Sequence, residues 1–207
     1  FSERESFMNK VEKLLGDQYP DVFPRVFAHD PDYRWIVMDR VQPISTRNEE
    51  LLVEAMVATM PKLYEYAYDL LSLDDGMPSS DTKPFALFNY IVMAAAPRLR
   101  PTELPYGDNT RRMERISKIQ EFGLANEPWF TQLSKAMKRY GVQWNDLAEG
   151  NVGIDMKDST LKIIDASVFS DISGEENWNE GIEREILMEK CWPGYEKKGM
   201  KKMFGKM

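Results

Sequence analysis

The chain is short of several residues on which common chemistries depend. A single cysteine, Cys191, excludes an internal disulfide and fits a reducing, cytoplasmic location, with a buried thiol as its expected role. A single histidine, His29, leaves a Ser/His/Asp hydrolase or a histidine-built zinc site only one strand end to work from. No apolar run approaches the roughly twenty residues that cross a bilayer, so no membrane span is expected. Positive charge is also in deficit: 27 Lys and Arg against 34 Asp and Glu leave a net charge of -7, which argues against a surface that coats nucleic acid. Neither G-x-G-x-x-G nor Val-Ala-x-Lys occurs anywhere. What remains is a globular composition, 43% hydrophobic and 12% aromatic, able to bury a core as one domain, or one lobe and a piece of another.

Acids and amides, by contrast, stand at telling intervals. The segment Trp144-Asn145-Asp146-Leu147-Ala148-Glu149-Gly150-Asn151 is followed, after a gap, by Lys162-Ile163-Ile164-Asp165. Phosphoryl transfer asks a protein for Mg²⁺ held against phosphates and a hydroxyl aimed in line. Magnesium takes hard oxygen ligands, which carboxylates and amides supply. Asp165 and Asn151 would be the metal pair, and Asp146 would orient or deprotonate the acceptor hydroxyl. Val152-Gly153-Ile154-Asp155 and Leu161-Lys162-Ile163-Ile164, joined by the polar run 156–160, predict a β-hairpin. Such a hairpin would return Asp165 to the same side of a cleft as Asn151. Taken alone, Asp-x-x-x-x-Asn is a weak signal, because both residues are common in turns.

These residues resemble the protein-kinase-like superfamily, including its small-molecule branch, the aminoglycoside-phosphotransferase-like enzymes. Asp146 and Asn151 match the Asp-x-x-x-x-Asn of the catalytic loop, and Asp165 matches the acid of Asp-Phe-Gly. The chain departs from the family at Trp144-Asn145, where His-Arg or His-Gly is usual, and at Ala166-Ser167, where Phe-Gly is usual. No Ala-Pro-Glu follows, so a phosphorylated activation segment is not expected.

Upstream, residues 23–30 and 33–38 predict two strands around a turn at Pro31-Asp32, running into Asp39-Arg40-Val41-Gln42-Pro43. This looks like the last strands of a kinase N-lobe and the hinge beneath adenine. The resemblance makes Met38 the gatekeeper and turns backbone groups of Asp39 and Val41 toward the base; an ordinary buried hairpin end explains the apolar run equally well. Before it, Ser2 and Glu5 form a capping-box pattern, and Phe7, Val11, Leu14 and Leu15 recur at helical spacing up to Gly16. In the kinase-like frame this is helix C, with Glu5 or Glu3 as the acid that pairs with the phosphate-binding lysine. A first-turn acid is also favoured by the helix dipole alone.

The resemblance thus implies an α+β, protein-kinase-like fold with an incomplete N-lobe: residues 1–41 a remnant with helix C, two strands and hinge, and residues 42–207 a mainly helical C-lobe. Either the Gly-rich loop and phosphate-binding lysine lie upstream of Phe1, in a natural N-terminus that the sequence lacks, or the chain is a kinase relic without a phosphate clamp; a start at Phe1, with no initiator Met, favours the first. Between hinge and catalytic loop, residues 47–73 carry apolar positions at helical spacing, with Pro61 as a break; Asp81 or Thr82 can cap a helix holding Phe85, Phe88, Ile91 and Val92. Helices are expected again at 109–122 and at 127–140, the last with Trp129, Phe130, Leu133 and Met137 inward. The stretch before the catalytic loop, 42–145, holds 104 residues, whereas 42 follow Asp165. By analogy with the small-molecule branch, that imbalance points to a compact acceptor or a specialised protein substrate.

The implied cofactors are ATP and Mg²⁺, and the implied activity is transfer of the γ-phosphoryl group to a hydroxyl. A catalytically inactive, kinase-like binding or structural protein is the alternative, and a helical interaction module unrelated to kinases is a third. Arg111, Arg112, Arg115 and Lys118 form a basic helix face that could hold an acidic ligand but reads more simply as solvated. The lysine-rich tail, 197–206, reads as a partly ordered end.

Overall fold

A computed structural model describes residues 3–72, 83–97, 109–147 and 150–164. Asp165, Cys191, Ser2, the proposed caps Asp81 and Thr82, and the basic tail lie outside the described residues. The fold is α+β, with six α-helices and two small antiparallel sheets among those residues.

Helix α1, Glu3–Gln18, buries Val11, Leu14 and Leu15, the stripe expected from the spacing. It runs past Gly16, where the sequence marks a stop. A Cβ at that position would stand 2.2 Å from the Pro24 carbonyl oxygen. Gly16 therefore serves close packing between the helix and the chain that returns beneath it, and does not end the helix.

The returning chain forms strands β1, Val26–His29, and β2, Ile36–Met38, which pair antiparallel with an irregularity between Val26 and Ala28. Both are shorter than predicted, because residues 30–35 build a tight connection. Buried Asp30 accepts hydrogen bonds from the Arg34 backbone N–H and, at 2.6 Å, from Arg34 Nε. Asn9 Nδ2 donates to the Tyr33 carbonyl at 2.7 Å, tying α1 to this connection. His29 stacks on Tyr33 at 4.2 Å, a packing role that explains the lone histidine. This is not a buried hairpin: Phe27, Trp35 and Val37 are all more than half exposed.

Strand β3, Val41–Pro43, leaves this hairpin and joins a second sheet. Its partners come from the far end of the described chain, β4, Val152–Asp155, and β5, Leu161–Ile163, in the order β3-β4-β5. The turn between β4 and β5 is closed by side chains. Asp155 Oδ1 accepts from the Lys157 N–H, and Asp158 Oδ1 from the Thr160 N–H, while Ser159 takes a positive φ of 62°. The predicted hairpin is present.

Between β3 and β4 the chain is helical. Pro61 separates α2, Glu49–Thr59, from α3, Pro61–Ser72, as the sequence predicts, and occupies the first position of α3, where its missing N–H is not needed. Helix α4, Pro84–Ala95, starts from Lys83 without a side-chain cap and buries eight consecutive or near-consecutive residues from Leu87 to Ala95. Being buried nearly all round, it is the centre of the helical layer. Helix α5, Asn109–Asn126, packs on α3 and α4, with Phe122 stacked on Tyr66 at 4.1 Å. Helix α6, Pro128–Tyr140, turns Trp129, Phe130, Leu133 and Met137 into the core as expected. Gly141 ends it in the left-handed conformation, φ 65°, with its N–H bonded to Met137 O.

Candidate functional site

The second sheet organises the candidate site. Its β3–β4 register pairs Val41 with Asp155, Gln42 with Ile154 and Pro43 with Gly153. Met156 N–H donates to Arg40 O at 3.1 Å and Ile44 N–H to Val152 O at 2.9 Å. In an antiparallel ladder, bonded and non-bonded pairs alternate, so Arg40 and Ile44 point their peptide groups at β4 while Val41 and Pro43 point theirs off the outer edge. Proline is tolerated at 43 for the same reason. The Val41 peptide thus stands on the outer edge of this sheet. Asp39, by contrast, commits its N–H to Arg25 O at 3.0 Å and its carboxylate to the Arg25 N–H at 2.9 Å, which leaves its carbonyl as the group to consider.

At the other end of the hairpin, Ile164 N–H donates to Asn151 O at 2.8 Å, extending the β4–β5 register one pair beyond Val152 and Ile163. Asn151, half-buried, therefore lies across from the residue that precedes Asp165. Gly150 N–H donates to Ile44 O at 3.2 Å, which attaches the end of the 144–151 loop to the chain leaving β3. The loop begins with a short 3-10 turn, Trp144–Asp146, set against α4 and anchored by Leu147, which is fully buried. The side chain of Asp146 and all of Asp165 lie outside the described residues, and Leu147 and Ile164 are described neighbours of these two acids.

Met38 sits between α1 and β5, where it lines a pocket with Glu12, Leu15, Phe23, Ile163 and Ile164. The pocket measures about 20 Å³, room for a water and far below the several hundred Å³ typical of small-molecule sites. Glu5 is exposed on the first turns of α1, two turns away from Glu12, and Glu3 is known by its backbone alone. Glu12 is the acid of α1 that reaches this pocket, and the sequence contained its signal: it stands three residues before the buried Leu15, on the flank of the apolar stripe. Among the described residues no three His, Cys, Asp or Glu side chains gather as a metal site.

The strand that leads to Asp165 is fastened from several directions. Leu161 N–H donates to Thr59 Oγ1 at 2.7 Å, Trp129 Nε1 to Leu161 O at 3.1 Å, and Ile163 N–H to Val22 O at 2.8 Å. The basic face of α5 is divided: Arg112 Nε donates to Tyr90 OH at 3.1 Å and Arg115 is buried, whereas Arg111 and Lys118 are exposed, with Lys118 paired to Glu114 at 2.7 Å. That pairing holds the Glu114 carboxyl below its ordinary value.

Comparison with protein families, with curated proteins and with solved structures found no match to this chain. No helix among the described residues is long and apolar enough to cross a membrane.

Proposed function

We propose that the chain is a protein-kinase-like phosphotransferase that moves the γ-phosphoryl group of Mg-ATP to a hydroxyl of a small molecule or a specialised protein substrate. The observation that carries this reading is the β3-β4-β5 sheet: its outer strand turns the Val41 peptide outward, and the base of its hairpin sets Asn151 beside the residue before Asp165. Val41 lies opposite Asp155, four residues along β4 from Asn151. At ~3.3 Å per strand residue that is about 13 Å, comparable to the reach of an extended nucleoside triphosphate. In this reading adenine meets the Asp39 carbonyl and the Val41 peptide beneath Met38. Asn151 and Asp165 would hold Mg²⁺, which supplies charge neutralisation at the phosphates, and Asp146 orients the acceptor hydroxyl or takes its proton. In this reading Glu12, in place of Glu5, becomes an acid of α1 turned toward the cleft. The chain order of helix, hairpin, edge strand, helices, polar loop and second hairpin supports the same assignment.

The narrow pocket at Met38, with Ala166-Ser167 after the second acid, favours one other reading, a kinase-like protein that binds without turnover. One experiment separates the two. A ligand at a hundredfold over its Kd adds about 2.7 kcal/mol, so Mg-ATP should raise Tm by roughly 5–10 °C, and Asp165→Ala should abolish the shift. A shift with hydrolysis supports the phosphotransferase, and a shift without it supports the binding protein. If the full-length protein shows neither, both readings fail.

A further inference from the structure

Lys162 is the one residue of β5 whose character runs against its surroundings. Its neighbours Leu161 and Ile163 are apolar and buried, yet Lys162 is itself only 6% exposed. A buried ammonium is costly unless its charge and donors are met. Here Nζ donates to Pro20 O at 2.6 Å and to Asp21 O at 3.2 Å. Those carbonyls belong to the turn that follows α1, where Tyr19 N–H still bonds Leu15 O at 2.8 Å. A cation on carbonyls just beyond a helix C-terminus is electrostatically favoured. The adjacent residue repeats the connection through backbone, Ile163 N–H to Val22 O. Tyr140 OH donates to Gln18 Oε1 at 2.6 Å and Gln132 Nε2 to Asp21 Oδ2, so α6 grips the same turn from its other side.

These bonds join two parts of the candidate site. Helix α1 brings Glu12 to the pocket, and β5 brings the chain to Asp165, three residues beyond Lys162. We infer that Lys162 is a positioning residue, whose ammonium fastens the turn after α1 to β5 and so fixes Glu12 relative to Ile163 and Ile164, which line the pocket with it. The inference rests on the phosphotransferase reading. It implies that α1 does not swing freely against β5, because such a motion would strand a buried charge.

Lys162→Met keeps the apolar stem and removes the charge, and Lys162→Arg keeps the charge. In the full-length protein, two measurements apply to both variants. The first is amide hydrogen exchange at residues 19–23 and 161–164. Loss of two bonds from a charged donor should speed exchange there by at least roughly tenfold in Lys162→Met, with partial restoration in Lys162→Arg. The second is the steady-state hydrolysis of Mg-ATP by water. Misplacing groups behind a metal site costs on the order of tenfold or more, expected here in KM more than in kcat. Leu63→Ala, a truncation of a fully buried side chain in α3, serves as the control for general destabilisation: it should speed exchange across the core without singling out residues 19–23 and 161–164, and should leave KM near wild type. Should Lys162→Met fail to fold, the Lys162→Arg exchange pattern and KM carry the test. If wild type turns over Mg-ATP while the Lys162 variants keep its KM and its exchange rates, the inference is overturned and the phosphotransferase reading stands. If wild type neither binds nor hydrolyses Mg-ATP, that reading falls and the positioning role falls with it.

Discussion

Removing the Glu127 carboxylate should unfold the start of a helix 65 residues earlier in the chain. Glu127 Oε1 accepts from the backbone N–H of Lys62 at 2.9 Å and of Leu63 at 3.2 Å, and the residue is only 6% exposed. These are free donors of the first turn of α3, and Pro61 at its head has no N–H to offer. The carboxylate thus caps a helix it does not belong to, and its charge sits at the positive end of that helix. Hydrogen bonds to a charged group contribute about 1.5–3 kcal/mol each, and Glu127→Ala also leaves the buried Leu63 donor and the part-buried Lys62 donor without this acceptor. With one oxygen serving both, a combined loss of about 3 kcal/mol follows. For a chain of this size each kcal/mol moves Tm by roughly 2–4 °C, so Glu127→Ala should melt roughly 6–12 °C below wild type by calorimetry. Glu127→Gln retains an acceptor oxygen without the charge and should recover about half of the loss. A Glu127→Ala protein melting within about 2 °C of wild type, or a glutamine variant no better than alanine, would refute the capping argument.

Two other outcomes test the packing and the charges. Gly16→Ala places a methyl 2.2 Å from Pro24 O, so it should lower the urea midpoint although alanine is the better helix former by about 1 kcal/mol; an unchanged or raised midpoint would mean that the close approach is absent. Asp30 and Asp158 are titratable groups that burial pushes up, but hydrogen bonds from Arg34 and Thr160 respectively outweigh it and hold both carboxyls below the ordinary 3.8. A lowered folded value gives stability that is present above the unfolded value and lost as pH falls through the folded one. Tm should therefore drop as pH is taken from 5 toward 3, and Asp30→Asn should flatten that acid limb; an acid limb of unchanged slope in the variant would contradict the assignment.

Local signals made the helices legible. The 3-4 spacing of Val11, Leu14 and Leu15, the break at Pro61, and the alternating Val152–Asp155 and Leu161–Ile163 runs each answer to a rule that acts within a few residues. Contacts between distant segments were not legible. Gly16 reads as a helix stop in one dimension, and only the approach of Pro24 shows its use. The Arg111 to Lys118 face reads as solvated charge, yet Arg115 is buried and Arg112 is held by Tyr90. The place of Glu12 on the pocket was likewise set by how α1 packs against β5.

The sequence by itself determined where the helices run, the hairpin of Val152–Asp155 and Leu161–Ile163, and the scarcity of Cys and His that narrows the chemistry. The tertiary structure alone decided that β3 joins β4 across more than 100 residues of chain, so that the Val41 peptide faces outward on the sheet that carries Asn151. It alone decided that Lys162 is buried. The physical reason is common to both: a ladder register and a buried ammonium are settled by which distant carbonyls arrive beside them, and no periodicity along one segment encodes that arrival.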